Sequence, residues 1–304
     1  MQISTFSTYY TSANGMSNLQ STLQSLQMQL DTQKRVVNPS DDPVASSQIL
    51  QLNQSNGVND QFITNNKSVE STLAISETAI NSSINVMQAM KELAVQAGNG
   101  ALSTTQLQSM QLQVSQYFNQ LVGNANTTDG VGTYLFAGTK DTSPPFTADS
   151  TLTATYGGDT GQRLVQISSS RSLPVNEVGS SVYGNASSPT ALFDTVKSFY
   201  NLLGQNPKPA NFATQLTTIM GNMDQATQNL TNAQASIGAR RKENQDTQSA
   251  ASGATLQYQT AISSLQDLDL PKAISDFSLT QASLQYSQLT FTKVTSLSLF
   301  NYIS

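Results

Sequence analysis

Apolar residues near the start of the chain recur at Met16, Leu19, Leu23, Leu26 and Leu30, at alternating spacings of three and four. This is the a/d period of a helix that buries one stripe against a partner helix. Asn38-Pro39 should end that helix, because a proline pushes the preceding residue out of the α region. Pro43 can open the next helix at its first position, with Asp42 as N-cap. Asn38, Pro39, Asp41, Asp42 and Pro43 therefore read as a break between two helical parts. From Pro43 to about Ala97 the period returns at Val69, Leu73, Ser76, Ile80, Ser83, Met87, Met90 and Ala94, predicting one long helix or two in line. Leu107, Met110, Val114, Tyr117 and Leu121 form a third run that ends near Gly123.

Between about Asp129 and Ser188 the period changes. Gly, Thr, Ser and Pro surround short β-type runs at Tyr134 to Phe136, Thr151 to Tyr156, Leu164 to Ser168 and Val182 to Tyr183, with turn signals at Asp129-Gly130 and Gly157-Gly158. A small β-rich domain inserted into a helical one is the simplest reading, placed on the outside and dispensable for folding the helices. Helix should resume at Ser188-Pro189, read as an N-cap followed by a first-turn proline. The most regular heptad follows at Phe212, Leu216, Ile219, Met223, Ala226, Leu230, Ala233 and Ile237. The last segment carries Phe277, Leu284, Phe291 and Val294 on one seam and Ala282, Tyr286, Leu289, Phe300 and Ile303 on another. Two seams imply neighbours on two sides.

For the middle helices these stripes predict ordinary core. The end helices differ. No charged residue occurs before Asp31, and from Phe277 onward the only one is Lys293, whereas a solvated helix carries charge along its outer face. Rich in Ser, Thr and Asn, they should be marginal alone in water. They suit enclosure in an assembly. Met16, Leu19, Leu23, Leu26, Leu30, Phe277, Leu284, Phe291, Val294, Leu297, Leu299 and Phe300 are the expected assembly interface.

Composition narrows the chemistry. Only 11% of the 304 residues are charged, against about 25% in an ordinary domain. The net charge of -5 and a lone basic cluster, Arg240-Arg241-Lys242 followed by Glu243, argue against nucleic acid as a partner. That cluster reads as a solvated helix face. Neither Cys nor His occurs, which removes disulfides, the usual zinc ligands and the usual nucleophile-base pairs. A carboxylate pair remains conceivable, but no phosphate-binding or nucleophile-elbow motif accompanies it. No enzyme, no metal and no cofactor is expected. The first thirty residues hold no Lys or Arg and no continuous apolar stretch, so Sec export is not indicated. No run long enough for a membrane span is present.

Lys34 to Ala45, KRVVNPSDDPVA, resembles the "GKRVVNPSDDPxA" stretch near the start of the FlgL family, with Gln33 in place of the family's leading Gly. That departure is expected to matter little. Leu93 to Gly100 is similar to the "LAVQAANG" helix end that FlgL proteins share with flagellins, except at Gly98. Asn126 to Gly130 with Tyr134 to Gly138 resembles the FlgL passage into its β-domain, and Leu297 to Ile303 the "LSLFNYI" finish. Thr139 to Ser180 carries no motif of the family.

The resemblance implies a mainly α fold: a long helical coiled-coil bundle built from both chain ends with a small inserted β-rich domain. The implied domains are 1–38 with 265–304, the terminal helices of the inner assembly domain; 39–130 with 189–264, a helical bundle; and 131–188, the outer insert. It further implies a junction protein of the bacterial flagellum, exported unfolded by the flagellar type III system. Implied partners are other copies of itself, the adjoining hook-associated protein, flagellin, and an export chaperone on the C-terminal segment, with no nucleic acid and no membrane. The alternatives are a flagellin-like filament subunit and a secreted coiled-coil adhesin or translocator.

Overall fold

The computed structural model describes the backbone of residues 2–303 and the side chains of residues 6–296. Among the described residues, seven helices and four short strands follow in the order α1 (Gln2–Thr32), α2 (Pro43–Ala97), α3 (Thr104–Ala125), β1 (Phe146–Ala148), β2 (Ala154–Tyr156), β3 (Leu164–Ser168), β4 (Arg171–Pro174), α4 (Gly179–Val182), α5 (Ala191–Leu203), α6 (Phe212–Gln266) and α7 (Leu270–Ile303). The fold is mainly α. The strands make two antiparallel hairpins, β1-β2 and β3-β4.

The chain forms two compact units, residues 1–58 with 253–304 and residues 59–252. The division falls inside the continuous helices α2 and α6, not at the proline break. In the larger unit the predicted stripes are core: Val69, Leu73, Ser76, Ile80, Ser83, Met87, Met90 and Ala94 of α2 are buried, as are Phe212, Leu216, Ile219, Met223, Ala226, Leu230 and Ile237 of α6. The two serines on that stripe satisfy themselves within the helix, donating to the Thr72 and Ala79 carbonyls. A Ser103/Gln106 capping box starts α3.

Several expectations fail for identifiable reasons. Val182 and Tyr183 have strand propensity, but both are buried at the end of the helical turn α4, where packing overrides propensity. Tyr134 makes a single bridge to Thr128 rather than a strand. Helix α5 starts at Ala191 after Thr190, not at Pro189. Ser188 instead donates its hydroxyl to the Asp194 carboxylate (2.7 Å).

The insert is not a separable domain. Phe146 of β1 sits between Tyr156, Tyr183 and Phe193 of α5, with ring centroids 5.0, 5.5 and 5.0 Å away, and Phe193 meets Phe118 of α3 at 5.7 Å. Asn126, just past α3, pairs with Phe146 like a strand residue: its Nδ2 donates to the Phe146 carbonyl (2.7 Å) and its Oδ1 accepts the Phe146 N–H (2.9 Å). Leu135, Phe136, Ile167, Leu173 and Val175 join the same buried cluster as the helices. Removing 139–180 would strip one wall from that core.

Candidate assembly surface

In the smaller unit α1 packs along α7. Met16, Leu19, Leu23, Leu26 and Leu30 are all half-buried. On α7, Ala273 is buried and Phe277, Thr280, Leu284, Ser287 and Phe291 are half-buried, at spacings alternating between four and three. Tyr9 of α1 meets Phe291 with ring centroids 4.7 Å apart. Val294, assigned to the same seam from sequence, is exposed, and Thr295 occupies the half-buried position instead. A straight helix drifts about 20° per heptad against a strict seven-residue repeat, so the seam steps four residues from Phe291, not three. The side chains of Leu297, Leu299, Phe300 and Ile303 lie outside the described residues.

The opposite side of α7 holds a second stripe at Leu279, Ala282, Tyr286 and Leu289, spaced three, four and three. Ala282 is half-buried, but the large side chains of the stripe are exposed: Leu279 is 68% exposed, Tyr286 70% and Leu289 58%. Of the eighteen large exposed hydrophobic side chains in the described residues, fourteen belong to this unit, among them Phe6, Tyr10 and Met28 of α1. Its own buried cluster is small, comprising Val36, Ala45 and Ile49 with Ile262 and Leu265 against them. Between them α1 and α7 carry four charged residues, Asp31, Lys272, Asp276 and Lys293, and among the described residues they leave ten large apolar side chains exposed.

The proline motif forms the joint of this unit. Helix α1 ends at Thr32, six residues before Asn38, because Gln33 adopts a left-handed φ of 56° and the chain then runs extended. Lys34 bridges Asp267, Arg35 N–H donates to the Gln266 carbonyl (2.7 Å) and Leu268 N–H to the Gln33 carbonyl (3.1 Å), so the two inter-helix connectors pair through their main chains. Asp41 Oδ2 accepts the Val37 and Asn38 N–H groups, and Pro39 lies in the turn it closes. Asp42 caps α2, accepting the Ala45 N–H through Oδ1 (3.0 Å) with Pro43 at the first helical position. Arg35 spans the joint, donating to Asp42 (3.1 Å) and the Leu265 carbonyl (2.7 Å). The Ala45 N–H and then the Arg35 guanidinium hold the Asp42 carboxyl below its ordinary value.

Two features of the larger unit bear on other chemistries. The basic cluster on α6 is a set of ion pairs: Arg240 with Glu177 and Arg241 with Glu70 and Glu77, all largely screened from solvent, and the more exposed pairs Glu243 with Arg171 and Lys242 with Asp246. Sequence separation hid the partners. An open cleft of 250 Å³ between the 184–188 loop, α5 and α6 is lined by amides and hydroxyls with one carboxylate, Asp194. Ser188 and Thr190 hydroxyls occupy that carboxylate, and no second ionisable group lines the cleft. Among the described residues no cluster of three metal-ligating side chains occurs.

Residues 3–141 match the family model for the bacterial flagellin N-terminal helical region. Flagellar hook-associated protein 3 of Salmonella typhimurium is 29% identical over 99% of both chains, and that of Escherichia coli is equally similar over the same extent. Among solved structures, a putative flagellar hook-associated protein of Vibrio parahaemolyticus superposes with a TM-score of 0.67 at 21% identity, over 75% of this chain and all of that one. The flagellar junction protein FlgL of Legionella pneumophila does so with a TM-score of 0.60 at 19% identity, over 72% of this chain and all of that one. The N-terminal region matches the flagellin model, the whole chain is similar to two flagellar hook-associated proteins 3, and the fold is that of solved FlgL structures, which together mark the chain as a FlgL-type relative of flagellin.

Proposed function

We infer that this chain is a structural junction protein of the bacterial flagellum, which adapts the hook to the flagellin filament by polymerising through α1 and α7. The observation that carries the reading is the second apolar stripe of α7, exposed on a helix whose opposite face is already occupied by α1. A junction built on that stripe meets a different surface of the next subunit, a head-to-tail, heterologous contact that does not close as a dimer does. The lack of charge before Asp31 and beyond Phe277 except at Lys293 supports the same reading, since an enclosed helix must not bury unpaired charge.

Its partners are then further copies of itself, the adjoining hook-associated protein on one side and flagellin on the other, with an export chaperone on the C-terminal segment before assembly. The protein acts outside the cell and leaves through the flagellar export channel. It performs no catalysis, a reading supported by the cleft beside α5, whose single carboxylate, Asp194, is already engaged by Ser188 and Thr190. A strain lacking the chain should build hooks yet shed flagellin monomers into the medium, and re-expression should restore attached filaments. Normal filaments on the deletion strain would refute this function.

A further inference from the structure

Where α6 passes the β3-β4 hairpin, α2, α6 and the hairpin meet through a set of polar groups beside the apolar contacts of Ile167, Leu173 and Val175. Asn244, fully buried, donates from Nδ2 to the Asn66 carbonyl of α2 (2.9 Å). Asn66, also fully buried, donates from its own Nδ2 to the Ile167 carbonyl of β3 (3.0 Å), and the neighbouring Asn65 donates to the Gln166 carbonyl (2.8 Å). At the other strand, Arg240 donates from Nη1 to the Pro174 carbonyl (2.9 Å) and pairs with Glu177 just beyond, the two side chains being only 12% and 13% exposed. Arg171, at the start of β4, pairs with Glu243 of α6. The hairpin and its flank add few fully buried apolar side chains to the core, namely Ile167, Leu173 and Val175.

We propose that the β3-β4 hairpin is a polar-latched element that opens away from α2 and α6 as a unit while the rest of the larger unit stays folded, and that acid opens it. Net, each such hydrogen bond contributes little over water, and ion pairs near the surface contribute less still. The latch also carries a cost: no protein donor reaches the buried Oδ1 of Asn66 or of Asn244. By contrast, the Phe212 to Ile237 stretch of α6 is held by a continuous apolar stripe, so the hairpin should be the lower-stability part.

Acid acts first on the Glu243–Arg171 pair at this junction. Hydrogen bonding from Arg171 holds the Glu243 carboxyl below its ordinary value. Protonating Glu177 would leave the Arg240 guanidinium, which burial already disfavours, without its counter-charge. Glu70 and Glu77 of α2 face Arg241, and Asp141 pairs with Arg163 at the foot of β3 (2.7 Å). A carboxylate whose pKa is depressed in the folded state stabilises it above the unfolded pKa, about 4.3 for Glu, and that contribution is lost as pH falls through the folded value. The sign therefore favours opening below about pH 4.5.

Hydrogen exchange read by mass spectrometry on the full chain, from pH 7 to pH 4 and corrected for intrinsic rates, tests the proposal. Amides of residues 164–174 should lose protection by about threefold as pH falls to 4, the most that one carboxylate with an unfolded pKa near 4.3 can contribute over that range, while those of 212–237 keep theirs. Glu243→Gln, at a partly exposed position that leaves the fold intact, should produce part of that loss at pH 7. Equal protection of the hairpin and of 212–237 at every pH would overturn the proposal. So would a hairpin that opens first but with no dependence on pH, or a Glu243→Gln chain with wild-type protection of the hairpin.

Discussion

Replacing Leu289 by Asp separates an assembly surface from an intramolecular core. Leu289 is 58% exposed on the outer stripe of α7, so the free chain loses little. The cost there is mainly the lower helix propensity of Asp, roughly 0.5 kcal/mol. Full burial of a leucine is worth about 1.5 to 3 kcal/mol. With more than half of the side chain still wet, assembly has about 1 to 2 kcal/mol of that left to gain per subunit. A carboxylate forfeits this and adds the desolvation of an ion, and the loss repeats in every subunit of the junction. Urea unfolding of the purified variant should therefore match wild type within about 1 kcal/mol. Electron microscopy of a complemented deletion strain should show hooks without filaments. Ile219→Asp is the control: at 6% exposure in the stripe of α6 it should cost roughly 4 kcal/mol or more and unfold the chain. Attached filaments at wild-type frequency with Leu289→Asp would show that the outer stripe is not an interface. A variant monomer melting far below wild type would place Leu289 in the folded core.

Phe146→Ala should cost about 3 to 5 kcal/mol in urea unfolding, because it empties a site bounded by three rings; a loss under about 1 kcal/mol would mean that the insert folds apart from the helices. Gln33→Gly should raise the melting temperature slightly, by about 0.5 to 1 kcal/mol of added stability, since a left-handed φ of 56° strains any residue with a Cβ. An unchanged or lowered midpoint would refute that strain. Asp159 accepts from the Thr139 hydroxyl and N–H and from the Gly161 N–H, and the Thr139 hydroxyl is the first of the causes that hold its carboxyl below the usual range. Its contribution is present above the unfolded pKa near 3.9 and is lost as pH falls below it. Asp159→Asn should therefore flatten the acid limb of the stability curve, and an unchanged limb would refute this.

The periodic stripes of α2 and α6 were legible because a helical core repeats locally: residues three and four apart share a face wherever the partner lies. The FlgL-like motif was legible for a similar reason, since Asp42 before Pro43 builds a helix start from adjacent residues. The Gly-to-Gln departure at Gln33 looked harmless in sequence, and only the backbone angle shows that this position is left-handed. Val294 and Thr295 differ by one residue, and the drift of a straight helix against the heptad decided which of them is half-buried.

By itself, then, the sequence determined the helical periods, the break around Pro39 and Pro43, the uncharged ends and the exclusion of Cys and His chemistry, all of which depend on residue type and short spacing. Only the tertiary structure decided that Val182 and Tyr183 end a helix, that Phe146 closes the helical core, and that Arg240 and Arg241 are paired rather than solvated. Arg240 meets Glu177 and Arg241 meets Glu70 across long stretches of chain. Such contacts are set by packing in three dimensions, and no local period along the chain encodes them.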